Sequence, residues 1–463
     1  MSDLAAVAYV DTHFRAFLDT LSGLARIPSV SAAPEHADDL RKSAEAVRAA
    51  MSAAGLENTE VLDLPGAHPY VYGEHLHAPG KPTLLLYAHH DVQPPGRDSH
   101  WKTPAFEPTM RPDGRLYGRG TVDDKAGIVT HLAAIEAWLR AHGSLPVNVK
   151  LIVEGEEEVG SDHLGEFLQK HKDKLRSDII VLTDTANLDS GIPSLTYRLR
   201  GIAAVEVEVS GLDHPLHSGM WGGPIPDPVQ AMAKILASLT DDRGRIAIDG
   251  IYDEVAPPTA DERAALARLP FDEKKFRADA GMAAGFGLGG EQGFSAYEQL
   301  WLRPTITVIA LEASPLKGSS NQIVPAARAR ISLRVVPNMD PKRTQDLMVA
   351  HVKKVAPWGV TVTVKPEAGA SPAWSCDPTG PAFEAARRAL AKGFGHEVAF
   401  IGAGGSIPFV GPFAEAFGGA PALLIGLEDP ICNAHAENES LNVDDWRRAI
   451  KGAVYLYDEL SRL

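Results

Sequence analysis

His89 in the run YAHHDVQP, Asp123 in GRGTVDDKAG, Glu157 and Glu158 in EGEEEVGS, Asp184 in VLTDTAN and His435 in NAHAENES are residues of the types that can bind divalent cations. Two cations that activate water need mixed nitrogen and oxygen donors, a carboxylate able to bridge them and a further carboxylate free to move protons. Each of those needs has a candidate in this set. The donors come from five separated segments, so a fold must gather them.

The segments around them show how. Apolar, β-branched runs alternate with helical patterns: TLLLYAHHD, a helix from about Asp124 to His142, VNVKLIVEGEEE, a helix near Asp162 to Leu175, and DIIVLTDT. That order predicts an α/β domain around a buried, mostly parallel central sheet, with functional residues gathered where strands end. From residue 201 the texture changes to period-two alternation in AAVEVEVSG, a helix from about Asp227, strands at TITVIAL and ARARISLRVV, a helix after Asp340, and VTVTVKP. This is β-α-β-β-α-β, a ferredoxin-like α+β unit. Its long stretch from about Thr240 to Leu302, with the glycine-rich GMAAGFGLGGEQG, reads as a loop lying over something. The α/β texture returns near Ala373. We therefore expect residues 1–200 and 373–463 to form one domain, with 201–372 inserted as a second.

Composition excludes several function classes. The 463 residues carry a formal net charge of −15, with pI about 5.6, which repels phosphate backbones and argues against nucleic acid. The N-terminal segment, interrupted by Asp11, His13, Arg15 and Asp19, reads as an amphipathic helix, and no run approaches a membrane span. Two cysteines, Cys376 and Cys432, are too few for a disulfide framework and suit a reducing cytoplasm.

Motif by motif, His89 reads as a ligand, with Asp91 two residues on holding its other ring nitrogen and His90 turned away. Asp123 and Asp124 begin a helix. There a carboxylate can cap the helix, or it can bridge cations. Three glutamates at the end of an apolar strand repel one another unless cations or protons relieve them, so neighbours can divide labour: Glu157 as general base, Glu158 as ligand. Asp184 and His435, taken singly, read equally as a turn residue and a surface histidine. His217 in HPLHSGMWGG could stabilise an oxyanion or simply cap a turn. Arg334 on ISLRVVP and the turn Gly404, Gly405, Ser406 could hold a carboxylate, or be a sheet-surface arginine and a tight turn.

With these motifs in order from about Leu21 to Leu460, the chain resembles the di-zinc aminoacylase, carnosinase and succinyl-diaminopimelate desuccinylase family of metallopeptidases. The resemblance implies a catalytic α/β domain, a ferredoxin-like lid that also dimerises, and two divalent ions per subunit, zinc with manganese or cobalt as alternatives. It implies His89 and Asp184 on one ion, Glu158 and His435 on the other, Asp123 as bridge before a cis peptide to Asp124, Glu157 as base and Asp91 behind the ligands. It further implies that His217 reaches the active site of a partner in a homodimer, and that Arg334, Gly404, Gly405 and Ser406 hold a substrate carboxylate. The run SSNQIVP departs from many relatives by placing Gln322 before the aliphatic pair and Asn321 one earlier, so either amide can face substrate. YAHHDVQP, the ITV lid strands and the long lid insertion point to the carnosinase-like dipeptidase branch, hence a metallodipeptidase. The alternatives are an N-acyl amino acid deacylase and a non-catalytic peptide-binding relative.

Overall fold

A computed structural model describes residues 3–405, 407 and 409–463. The apolar runs become strands and the chain divides into two compact units, Met1–Tyr197 with Cys376–Ile401 and Ile407–Leu463, and Arg198–Ser375 with Gly402–Ser406.

In the first unit the sheet runs Glu57–Leu62, Tyr70–His75, Asn148–Glu154, Thr83–His89, Ile179–Ala186, Ala422–Glu428, Ser194–Leu199. The middle four strands are parallel, and the pairings on both flanks are antiparallel. The sheet is therefore mixed, with parallel order confined to the centre. Among these flank pairings Glu57–Leu62 and Tyr70–His75 are sequence neighbours joined by a short, direction-reversing connection, whereas Tyr70–His75 with Asn148–Glu154 and Ser194–Leu199 with Ala422–Glu428 are long-range pairings. The central strands are buried almost end to end, as Leu84, Leu85, Leu86, Val149, Leu151, Ile180 and Leu182 show.

Helices Asp3–Ala25, Lys125–His142, Pro381–Phe394 and Val443–Leu460 supply the apolar cover. Lys125–His142 is buried through most of its length because its inner face is small: Ala126, Gly127, Ala133, Ala134 and Ala137 let neighbours approach closely. Trp138 and Trp446 fill the gaps those small residues leave. Each finds a partner for its indole N–H, Trp138 on the Val454 carbonyl at 3.0 Å and Trp446 on Thr130 Oγ1 at 3.0 Å.

The second unit has the expected β-α-β-β-α-β order. Its four-stranded antiparallel sheet runs Thr305–Glu312, Ala326–Val335, Gly201–Ser210, Thr361–Pro366. Val205, Val207 and Val209 point into a core shared with Ile331, Leu333, Met348 and Val352, while Glu206 and Glu208 alternate away from it. Helices Pro228–Ala237 and Pro341–Val355 start at Asp227 and Asp340, whose carboxylates cap the first turn. The stretch expected as one long loop is only partly that. It contains helices Ala260–Ala267, Glu273–Asp279 and Ala296–Trp301, the first and third begun by Thr259–Glu262 and Ser295–Glu298 capping boxes. Residues 281–293 have no regular structure.

Candidate metal centre

The C-terminal ends of the parallel strands converge on one rim of the first unit. Thr83–His89 and Asn148–Glu154 pair with His89 beside Glu154, and Ala422–Glu428 pairs alongside Ile179–Ala186, which carries Asp184. After Glu154 the chain turns into a short 3₁₀ segment, Glu157–Val159. The Asp91 carboxylate accepts the backbone N–H of Glu157 at 3.2 Å and of Glu158 at 3.0 Å, fixing where both glutamates project. Gln93 holds the Glu158 carboxylate, its backbone N–H donating at 3.1 Å and its side-chain amide at 2.8 Å.

Asp123 is set by a residue far along the chain. The Glu439 carboxylate accepts the N–H groups of Gly120 (3.1 Å), Val122 (3.1 Å) and Asp123 (3.3 Å), and pairs with Arg119 at 2.7 Å. The Asp123–Asp124 peptide is cis. Asp124 occupies the position before helix Lys125–His142, yet its carboxylate does not cap it. One oxygen accepts the His89 N–H at 3.3 Å and the other is buried without a partner. Gly127 leaves room for it, since a Cβ there would lie 2.2 Å from that unpartnered Asp124 oxygen.

Asp123 faces two imidazoles with its two oxygens. Oδ1 lies 3.0 Å from His89 Nε2 and Oδ2 lies 3.0 Å from His435 Nε2. Asp184 Oδ1 is 3.8 Å from the first ring and Glu158 Oε2 is 3.2 Å from the second. The other His89 nitrogen, Nδ1, sits 3.1 Å from the Asp91 carbonyl oxygen and 3.5 Å from its carboxylate. His90 turns to the Pro69 carbonyl at 2.9 Å, and burial pushes its pKa down to about 4.

Metal donors fall into three groups whose atoms lie within 4.8 Å of one another: His89, Asp124 and Asp184; Asp123, Glu158 and His435; and Asp123, Asp184 and Glu428. Two observations test whether divalent ions fit. His89 Nε2 is buried and, although close to Asp123, makes no hydrogen bond, which leaves a lone pair for a cation. The donor set is also the mixed imidazole and carboxylate chemistry that such ions take.

The electrostatics agree. Burial, with the charges of Asp184, Glu158 and Asp123, drives the Glu157 carboxyl well above its usual range despite His89 nearby. Burial likewise raises Glu158, Asp184, Asp124 and Glu428, each also facing another carboxylate. Asp123 is by contrast held well below, because the His435 and His89 imidazoles outweigh its burial. Hydrogen bonds to Asp123 and Glu158 in turn push His435 up to about 11. Without cations these carboxylates cannot all ionise, and divalent charge removes the conflict.

The remaining sequence candidates lie in the second unit. His217 pairs with Gln322 in the short ladder Leu216–His217 with Gln322–Ile323, and the Asn321 carbonyl accepts the Ser218 N–H at 2.9 Å. The His217 ring is exposed, and its Nδ1 accepts the Gly219 N–H at 3.1 Å, capping helix Ser218–Trp221. Arg334 is opposite Thr305 and Ile202 in the sheet and makes no ion pair with a described residue. A Cβ on Gly404 would lie 3.0 Å from the Arg200 guanidinium, whereas Gly405 faces open space. Ser406 lies outside the described residues.

Sequence reasoning passed over Glu428, Glu439 and the distinct environment of Asp124. For Glu428 the signal was present, because it ends the apolar run ALLIGL as Asp184 ends IIVLT.

Comparison with known proteins follows this geometry. The model of peptidase family M20/M25/M40 matches residues 85–459. A cysteinylglycine-S-conjugate dipeptidase of Corynebacterium striatum is 34% identical over 411 residues, 88% of each chain. Among solved structures, the dipeptidase Dug1p of Saccharomyces cerevisiae superposes with TM-score 0.86 at 26% identity over 100% of this chain and 99% of its own. Human carnosine dipeptidase 1 gives TM-score 0.86 at 28% identity, covering 99% and 98%. The chain belongs to peptidase family M20/M25/M40 and is a metallopeptidase.

Proposed function

We propose that this protein hydrolyses the amide bond of dipeptides, with two divalent ions, zinc in our reading, at the rim of the first unit. The observation that carries the proposal is Asp123, whose two oxygens each stand 3.0 Å from a different imidazole, the two halves of a bridge. His89 and Asp184 would hold one ion, and Glu158 and His435 the other. Bound there, the ions supply charge that polarises the scissile carbonyl and acidifies water.

The chain's own groups do the proton work. Glu157 takes a proton from the attacking water and delivers it to the leaving amine, for which a carboxyl that burial and neighbours raise is suited. Asp91 acts as a positioning residue, aligning the Glu157 and Glu158 backbone and the His89 ring. In the second unit, residues 201–372 serve as lid and dimerisation domain. Thr305–Glu312 leaves one sheet edge open with Val308, Ile309 and Leu311 exposed, which suits a second copy of the chain. His217 donates to the oxyanion in the partner protomer, and Arg334, Gly404, Gly405, Ser406 and one of Asn321 or Gln322 bind the substrate carboxylate and backbone. A cytoplasmic location is supported by Cys376 and Cys432, both unpaired. No helix among the described residues is long and apolar enough to cross a membrane.

The test is a panel of free dipeptides beside N-acetyl and N-succinyl amino acids, offered to metal-stripped protein with zinc, manganese or cobalt restored. Metal-dependent release from free dipeptides is expected. Cleavage confined to acylated substrates reassigns the protein as a deacylase, and binding without turnover as a peptide-binding relative.

A further inference from the structure

Glu428 is an acidic side chain at this centre that the assignments above leave without work. It ends strand Ala422–Glu428, and a carboxylate oxygen lies within 4.8 Å of donor oxygens of Asp123 and Asp184. Its backbone carbonyl is used, accepting the Asn187 N–H at 2.8 Å, which fixes where the residue sits. Its carboxylate makes no hydrogen bond or ion pair with a described residue. Asp429, next along the chain, is by contrast fully engaged by Arg115, at 2.6 and 2.8 Å.

Two arguments keep Glu428 off the metals. Each ion would already draw on an imidazole, a carboxylate of its own and the shared Asp123. A catalytic ion keeps a position open for water or substrate, and a fourth protein ligand would close it. The second argument is charge. Two divalent cations bring four positive charges, and Asp123, Asp184, Glu157 and Glu158 answer them. Asp91 and Asp124 each turn an oxygen to backbone N–H groups. Glu428 would then add a negative charge that no described cation answers, beside the one Asp124 oxygen that is likewise unpartnered.

A monovalent cation of the substrate would complete the balance, and an unblocked dipeptide carries one. Its α-amino group, with a pKa of roughly 7.7–8.0, is mostly protonated at neutral pH. It also lies two bonds from the scissile carbonyl carbon, so whatever holds it must stand within a few ångströms of the metals. We propose that Glu428 binds the free α-ammonium group of the substrate's N-terminal residue, and is thereby a residue that selects free dipeptides over N-acylated amino acids. This rests on the dipeptidase reading above and names the part of the site that enforces it. An N-acyl group replaces the cation with a neutral amide and leaves the Glu428 charge stranded, which disfavours it.

The experiment uses the full-length, metal-loaded protein and two phosphinic dipeptide analogues, one bearing the α-amino group and one with hydrogen in its place. Calorimetry gives the affinity ratio of the pair, and elemental analysis gives metal content. In Glu428→Gln we expect the ratio to fall by about 10- to 100-fold, the loss of one charge-assisted hydrogen bond, with two ions still bound. Glu428→Asp, which keeps the charge, should retain most of the preference. An unchanged ratio in the Gln variant overturns the proposal, as does loss of an ion, which would make Glu428 a ligand. Failure of the dipeptidase reading shows separately, as absence of free-dipeptide hydrolysis by the unaltered protein.

Discussion

Replacing Asp91 by Asn tests the reasoning most directly, because it changes one atom and touches neither metal nor substrate. The Asp91 carboxylate spans two backbone donors, Glu157 N–H at 3.2 Å on Oδ1 and Glu158 N–H at 3.0 Å on Oδ2, and Oδ1 is 3.5 Å from His89 Nδ1. An amide offers one oxygen, so its NH₂ group must face one of those N–H groups. One charge-assisted hydrogen bond is lost and one buried donor is stranded, about 3 to 5 kcal/mol before relaxation. The turn carrying the proposed base and ligand loosens, and metal affinity should fall roughly 10- to 100-fold. Stability has a pH signature as well. Although burial opposes it, His89 and Ser31 hold the Asp91 carboxyl below its usual range. A group so depressed contributes stability that is fully present above its unfolded pKa, near 4, and is lost as pH falls through the lower folded value. Chemical denaturation of stripped protein should therefore show a gap between wild type and Asp91→Asn that is widest above about pH 4 and narrows in acid. Metal titration and denaturation together decide the matter. A variant that binds metal within twofold of wild type, with an unchanged denaturation midpoint at neutral pH, would falsify the positioning role.

Glu157→Gln should lower kcat by about 10²- to 10⁴-fold while both ions stay bound, as kinetics and elemental analysis will show; turnover near wild type removes Glu157 as the base. Gly127→Ala places a Cβ 2.2 Å from an Asp124 oxygen and 2.6 Å from Thr183 Oγ1, so it should cost roughly 1–3 kcal/mol in a denaturation experiment. Arg115→Met leaves the buried Asp429 carboxylate without its cation, held among the described residues only by the Ser190 hydroxyl, and should destabilise the protein by about 3–5 kcal/mol. Chelation should lower the melting temperature because cations relieve the carboxylates; ions at 100 times their Kd return about 2.7 kcal/mol per site. An unchanged melting temperature on stripping would contradict the electrostatic account.

Much of the centre was legible because apolar strands ending in acids or histidine announce a buried rim: His89, Glu158 and Asp184 each follow such a run. The lid order was legible from period-two alternation in residues 203–209. What the sequence hid depends on long-range pairing. Glu439 is one of two acids in HAENES, and only the fold brings the N–H groups of Gly120, Val122 and Asp123 to it. Asp124 and Asp123 are chemically identical neighbours, separated by which of them faces the histidines. The antiparallel flanks of the main sheet come largely from long-range pairing, Tyr70–His75 with Asn148–Glu154 and Ser194–Leu199 with Ala422–Glu428, rather than from any side-chain pattern. The helices within 260–301 were masked by the surrounding glycines and prolines, although Thr259–Glu262 is a capping box readable in retrospect.

The grip of Glu439 on the Asp123 backbone joins positions 316 residues apart. During synthesis, every residue up to 434 can be made while Asp123 still lacks both its clamp and its second imidazole. A nascent chain of that length carries His89, Asp123, Glu158 and Asp184 but leaves Asp123 unfastened and without its second imidazole partner. A product that stops short of residue 435 would therefore lack both the second imidazole beside Asp123 and the carboxylate that clamps its backbone.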